Sequence, residues 1–128
     1  MVDSLFSMQL TDMVPAPGGD ADELLRRTAA ASSASEHAVA EAVVSGAIDR
    51  GVELPAIDGF QEIADRGVWA VVEGVEVRVG TRDLMTEGGL ALVDEVERTG
   101  AALEDQGLIT IFAGWDGQVR GVLAVADA

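Results

Sequence analysis

His37 is the side chain best suited to chemistry, because it is the single histidine of a chain that has no cysteine and no tyrosine. It ends the run Ser35-Glu36-His37, directly before an amphipathic stretch that predicts a helix over residues 38–50. A histidine there lies beside free backbone N–H groups at the positive end of the helix dipole, where anionic or acceptor-rich ligands are commonly held. A hydrogen-bonded surface histidine at a helix start is the simpler alternative.

The sequence predicts no catalytic residue. Ser35 and Glu36 lie too close to His37 in sequence to supply the geometry of a serine triad. Paired carboxylates for hydrolysis cannot be singled out among 23 acidic residues, and there is no Walker-type phosphate loop. One histidine without cysteine also argues against a structural zinc site, and no metal ligands are predicted. What remains is a binding arrangement.

Two further stretches have the residue types of a binding site. Asp65-Arg66-Gly67-Val68 stands at a predicted strand junction, and Gly80-Thr81 follows another predicted strand. Glycine at such places lets a ligand approach the backbone closely. The sequence therefore predicts a site formed by these two stretches and His37.

Composition limits the class of protein. With 128 residues the chain is predicted to form one domain, residues 1–128, and its high hydrophobic content indicates a folded core. A net charge of −15 argues against binding nucleic acid or an anionic membrane surface. No apolar run approaches the ~20 residues of a membrane-spanning helix.

Hydrophobic periodicity predicts four helices, at residues 20–31, 38–50, about 81–85 and 90–105. Asp20 is expected to cap the first, with Glu23 in the capping-box position, and Ser33 with Glu36 to form a capping box before the second. The residues expected to face the core are Leu24, Leu25 and Thr28 in the first helix, Ala38, Val39, Ala42, Val43 and Ala47 in the second, and Leu92, Val93, Val96, Ala102 and Leu103 in the last.

Strands are predicted at residues 5–14, 57–64, 68–73, 75–79, 108–113 and 118–125, the first of them at a sheet edge. Glu73-Gly74 and Asp116-Gly117 are typical two-residue hairpin turns. Helices and antiparallel hairpins in this order predict an α+β fold, with helices packed on an antiparallel sheet.

A set of motifs in a fixed order carries a family resemblance. Its blocks are Ser35-Glu36-His37 with the helix that follows, Asp65-Arg66-Gly67-Val68, the run Val79-Gly80-Thr81-Arg82-Asp83-Leu84-Met85, and the final Gly121-Val122-Leu123-Ala124-Val125-Ala126-Asp127. Over residues 20–127 this order and spacing resemble the nucleotide-binding (N) domain of heavy-metal, class IB, P-type ATPases of the copper and silver type. The resemblance implies a six-stranded antiparallel sheet flanked by helices.

The resemblance also implies roles for individual residues. His37 would pack on or bond the adenine of ATP, and Glu36 would support the helix start. Gly67, followed by Val68, would line the path to the phosphates, and Gly80 the nucleotide pocket.

Four positions depart from the family pattern. Ala38 stands where the family has proline, Asp65 replaces the first glycine of a Gly-x-Gly turn, and Thr81 replaces an asparagine. Ser32 replaces a glutamate that contacts the adenine, and it would accept from the adenine amino group without charge assistance. Asp65 would repel the triphosphate unless Mg²⁺ or Arg66 screens it. Such losses predict binding in the high micromolar to millimolar range.

The main hypothesis is an ATP-binding domain that presents ATP, with Mg²⁺, to an aspartate in a neighbouring domain. The chain lacks the family's Asp-Lys-Thr-Gly and Cys-Pro-Cys motifs, so we expect a monomeric cytoplasmic domain of a larger membrane pump, inactive alone, whose partners are the pump's phosphorylation and actuator domains. A degenerate domain that scarcely binds ATP is one alternative, and an unrelated acidic protein-interaction module is another.

Overall fold

The computed structural model describes residues 8–127, and in them six strands form one sheet in the order β1-β6-β5-β4-β3-β2. All five neighbouring pairs of strands are antiparallel. The elements in chain order are β1 (Met8–Pro15), α1 (Ala21–Ser32), α2 (Ala38–Asp49), β2 (Ile57–Ile63), β3 (Gly67–Val72), β4 (Val75–Gly80), α3 (Arg82–Glu87), α4 (Asp94–Asp105), β5 (Ile109–Trp115) and β6 (Gln118–Asp127). The predicted α+β class with a six-stranded antiparallel sheet is confirmed.

Helices cover both faces of the sheet. On one face, Leu24 and Leu25 of α1 pack toward β3 and β4, while α2, which carries Val43, packs beside α1 and against β1. On the other face, α3 and α4 pack against β5 and β6 around Phe112. β5 and β6 therefore contribute residues to both cores, whereas β3 and β4 contribute only to the first.

Two hairpin turns are formed by the residues that the sequence indicated. Glu73 and Gly74 between β3 and β4 have φ of 52° and 80°, and Asp116 and Gly117 between β5 and β6 have φ of 52° and 80°. Positive φ at both central residues is what a type I′ turn needs, and its twist matches that of the strands. These turns bring the ends of β3, β4 and β5 into register beside one another.

The last helix begins later than predicted, at Asp94 instead of residue 90. Ala91 is held beside β6, because its N–H donates to the carbonyl of Gly117 and its carbonyl accepts from Val119. A backbone used in this way cannot also form helical hydrogen bonds.

Three residues predicted to face the core, Ala38, Val93 and Ala102, are exposed, so the prediction was wrong for them. Ala38 and Val93 lie at helix starts, where neighbouring elements do not yet cover the chain. The first strand is described from Met8 onward, and the part of its prediction that begins at Leu5 lies outside the described residues.

Candidate functional site

A cavity of about 420 Å³ opens at one end of the sheet, where α2 begins, β2 and β4 end, and β3 and β5 begin. Pockets for small ligands typically have volumes of ~300–1,000 Å³. The predicted site residues that line it are Ser32, His37, Asp65, Gly67, Val68, Gly80 and Thr81. The structure thus brings seven of the eight together, from four separate parts of the chain.

Glu36 is the exception. Its side chain is exposed and does not line the cavity. In the described part of the chain, the side-chain hydrogen bonds at the start of α2 come from Ser35 and His37. The support of the helix start that was predicted for Glu36 is supplied by these two neighbours.

His37 is the N-cap of α2, and the predicted Ser33–Glu36 capping box is wrong. Its Nδ1 accepts a hydrogen bond from the backbone N–H of Val39 at 3.2 Å. A nitrogen that accepts carries no proton, so the proton of the neutral ring lies on Nε2. His37, which lines the cavity, therefore carries its one side-chain N–H donor on Nε2.

Ser35 connects the helix start to β2. Its side chain is buried, and its oxygen accepts from the backbone N–H of His37 at 3.1 Å. The same hydroxyl donates to the carboxylate of Glu62, which also lines the cavity. Sequence reasoning did not find Glu62. Its signal was an acidic residue two positions after Phe60, on the strand face where the period of two expects an apolar side chain.

Ser32 lies at the end of α1 and is 2% exposed. Its hydroxyl donates to the carbonyl of Thr28 at 2.8 Å, so its oxygen keeps only acceptor capacity. This capacity fits the acceptor role that the sequence predicted for it. The burial of Ser32 leaves little of that oxygen accessible to a ligand.

Asp65 has a left-handed backbone with φ of 64°, in a turn closed by the hydrogen bond from Arg66 N–H to the carbonyl of Ile63. Glycine adopts this conformation without strain, and aspartate is one of the few residues that tolerate it. The guanidinium of Arg66 forms an ion pair with Glu87 of α3. Arg66 is therefore committed to a carboxylate other than that of Asp65.

Gly67 at the start of β3 and Gly80 at the end of β4 are cross-strand partners, with φ of 144° and 156°. A Cβ on Gly67 would lie 2.0 Å from the carbonyl oxygen of Val79, and one on Gly80 would lie 1.9 Å from that of Arg66. These glycines therefore allow the backbones of β3 and β4 to approach each other closely, whether or not a ligand is bound. That contact shapes the cavity wall.

Val68 and Thr81 complete this wall. The Val68 side chain is buried in the core beneath α1 and α2. The Thr81 hydroxyl oxygen caps α3 by accepting from the N–H of Leu84 at 3.3 Å. This leaves the hydroxyl proton of Thr81 free to donate toward a ligand.

A second cleft, of about 750 Å³, lies between the start of α1 and the end of α2. Five carboxylates line it, from Asp20, Asp22, Glu23, Glu53 and Glu73, against the two guanidinium groups of Arg26 and Arg50. Arg26 is already paired with Glu73 at 2.8 Å. Because carboxylates outnumber guanidinium groups in this cleft, it is a poorer site for an anionic ligand than the cavity beside His37.

Shifted pKa values occur outside the cavity, where α3 meets α4. The Arg82 guanidinium donates to Glu104 and holds the pKa of that carboxyl below its ordinary value, and Thr110 adds a second hydrogen bond. The same contact with Glu104 raises the pKa of Arg82. Arg82 also lies 4.8 Å from the centroid of the Phe112 ring, so it ties both helices to β5.

Within residues 8–127, no three histidine or acidic side chains are grouped closely enough to hold a metal ion. The helices of this described part are also too short or too polar for any of them to cross a bilayer.

Comparison with solved structures defines the class of fold. The N-domains of HMA8 and HMA6, both copper-transporting P-type ATPases, match with TM-scores of 0.76 and 0.79 at 20% and 21% identity. These matches cover 94% and 93% of this chain, and 99% and 98% of the N-domains themselves. The structure described as "Conformational changes in the catalytic domain of the CPx-ATPase CopB-B upon nucleotide binding" matches 98% of this chain and 40% of its own, with a TM-score of 0.66 and 19% identity. The fold is that of a P-type ATPase N-domain.

The sequence relatives of the chain are described as copper exporters. The chain is 42% identical over 120 residues to "Probable copper-exporting P-type ATPase V" of Mycobacterium tuberculosis, and 39% identical over 119 residues to a "Probable copper-exporting P-type ATPase" of Archaeoglobus fulgidus. These matches span 94% and 93% of this chain but only 16% and 14% of the relatives. No protein-family profile matches the chain.

The two comparisons together confirm the resemblance that the motifs carried. The chain is homologous to copper-exporting P-type ATPases and has the fold of their N-domain. The unrelated interaction module that the sequence left open required a different fold, and is therefore excluded.

Proposed function

We propose that the chain binds ATP in the cavity beside His37 and works as the N-domain of a longer heavy-metal P-type ATPase. In that role it presents the nucleotide to an aspartate of a neighbouring phosphorylation domain of the same chain. The observation that carries the proposal is the cavity itself, at which His37, Gly67 and Gly80 converge within an N-domain fold.

The residues present fit a nucleotide. A volume of about 420 Å³ accommodates a base and its sugar, and the open mouth leaves phosphates in solvent. The His37 ring offers a face for stacking and its Nε2–H as a donor. The start of α2 adds the positive end of a helix dipole. Ser32 and Glu62 supply acceptors on the cavity wall.

Mg²⁺ would reach this site already bound to the phosphates of ATP, because the described residues hold no cluster of metal ligands. The ion would neutralise part of the triphosphate charge beside the carboxylate of Asp65. We therefore expect the MgATP complex, more than free ATP, to be the ligand.

The parent pump would be a membrane protein with this domain on its cytoplasmic side. The actuator domain would be a further partner, and the isolated domain would be a monomer without turnover. The relatives make copper export the most direct hypothesis for the whole pump.

A second candidate keeps the fold but binds ATP too weakly to use it. The observation in its favour is that Asp65, an acidic residue, lines the cavity, while Arg66 beside it pairs with Glu87.

Isothermal calorimetry with MgATP separates the two candidates. We expect a dissociation constant in the high micromolar to low millimolar range, which is sufficient at cellular ATP concentrations. Adding excess Mg²⁺ should strengthen binding. If several millimolar MgATP gives no measurable heat of binding, the degenerate domain is favoured.

A further inference from the structure

Glu62 lies on the core-facing side of β2, where the alternation of a half-buried strand predicts an apolar side chain. It lies on β2, an edge strand, two residues after Phe60, which is half-buried against the core that α1 and α2 share. Its cross-strand partner is Val68, which is 5% exposed and faces the same core. Because cross-strand partners point to the same side of a sheet, Glu62 directs its carboxylate toward the helices, at the cavity.

Ser35 holds this carboxylate in place. The buried Ser35 hydroxyl donates to one Glu62 oxygen and accepts from the backbone N–H of His37. Glu62 is thereby tied to the residue that caps α2. The other carboxylate oxygen remains an acceptor, and an ionised carboxylate can only accept.

We propose that Glu62 determines which base the cavity accepts, by accepting a hydrogen bond from the exocyclic amino group of adenine. This inference rests on the proposed function and deepens it. Ser32, the acceptor that the sequence indicated, is almost fully buried and uncharged. The Glu62 carboxylate, held by Ser35, also lines the cavity and offers a stronger, charge-assisted bond.

The rival explanation is that Glu62 protects the sheet edge. Inward-pointing charges on an edge strand hinder pairing with the edge of another sheet. In that case Glu62 would control association between copies of the chain and would have no effect on which nucleotide binds.

The test compares ATP with purine riboside 5′-triphosphate, which differs only by lacking the amino group. In the wild type we expect ATP to bind about five- to tenfold more tightly. In Glu62→Ala the two affinities should become nearly equal. Repulsion between the carboxylate and the phosphates is the same for both ligands, so it cancels in their ratio. Glu62→Gln, whose amide oxygen still accepts, should give an intermediate ratio.

Two other variants sharpen the result. Asp58→Asn removes one negative charge from the exposed side of the same strand, and should keep the wild-type ratio. Ser35→Ala frees the Glu62 carboxylate, and should lower the ratio while the Glu62 side chain is still present. Thermal melts and size-exclusion chromatography of each variant report folding and association.

The outcomes are distinct. A ratio in Glu62→Ala equal to that of the wild type overturns the proposal, and new dimers in that variant would assign Glu62 to edge protection. A loss shared equally by both nucleotides would also overturn it, because the contact would then not involve the amino group. A wild type that binds neither nucleotide refutes the proposed function itself, and the role of Glu62 with it.

Discussion

The Nδ1 atom of His37 lies 3.2 Å from the backbone nitrogen of Val39 and caps α2, while the same ring lines the cavity. One side chain therefore has two roles, one in the stability of the helix and one in the proposed site. The capping bond requires a neutral ring that is protonated on Nε2.

The first prediction separates these two roles by comparing His37→Ala with His37→Asn. Asparagine is among the best N-cap residues, whereas loss of a capping side chain to alanine costs about 1 kcal/mol. We expect both variants to bind ATP several-fold more weakly in calorimetry. Urea unfolding should show a loss of stability in His37→Ala only. Unchanged affinity in both variants would remove His37 from the nucleotide site.

A second prediction concerns Asp65, an acidic residue that lines the cavity. In Asp65→Gly, relief of the left-handed backbone and the greater freedom of the unfolded chain offset each other to within about 1 kcal/mol, so stability should change little. Removing the charge should raise ATP affinity more than AMP affinity. The gain should shrink with Mg²⁺ or added salt, because both screen the charge. Equal gains for ATP and AMP would place Asp65 away from the phosphates.

Gly67 and Gly80 give a third prediction, on stability. Gly67→Ala and Gly80→Ala should each destabilise the fold strongly, because the new Cβ would meet the backbone of the facing strand at 2.0 Å and 1.9 Å. Gly51→Ala is the matched control, since Gly51 also has a positive φ of 76° but has open space where the Cβ would go. Denaturant midpoints measure the three variants. If all three lose the same stability, backbone strain and not strand contact explains the glycines.

A fourth prediction uses the lowered pKa of Glu104. Its carboxylate accepts from Arg82 and Thr110 in the native state, and the stability that this provides is fully present above the ordinary carboxyl pKa. It is lost as the pH falls through the lowered native pKa. Urea unfolding from about pH 7 to pH 3 should therefore show a shallower acid decline in Glu104→Gln than in the wild type. Glu95→Gln, an exposed residue of the same helix, should keep the wild-type decline, and a Glu104→Gln slope no shallower than that of Glu95→Gln would contradict the assignment.

Much of the fold could be predicted because its signals are local. The Glu73-Gly74 and Asp116-Gly117 turns need positive φ, which few residue pairs supply, and Val77 and Val79 alternate with polar neighbours. The start of α4 could not be predicted, because the pairing of Ala91 with β6 joins residues that are distant in sequence. A helical period cannot reveal that the backbone already has another partner.

Some residues of the candidate cavity could be predicted from the sequence and others could not. His37, Gly67 and Gly80 were recognisable from their residue types and order, and the structure places all three at one cavity. Glu62 was not recognisable, because the hydrogen bond that holds its carboxylate at the cavity comes from Ser35, 27 positions away in sequence. Asp65 was recognised, but the pairing of Arg66 with Glu87 instead of Asp65 required the packing of α3.

The central claim is that a nucleotide binds beside His37, and chemical-shift mapping by NMR tests it most directly. Titration with MgATP should move the amide signals of His37, Gly67 and Gly80, which line the cavity, while Gly51 in the acidic cleft stays unchanged. The same signals should move less with purine riboside 5′-triphosphate at equal concentration. Shifts confined to the acidic cleft, or an unchanged spectrum at about 10 mM MgATP, a concentration well above the expected dissociation constant, would contradict the account.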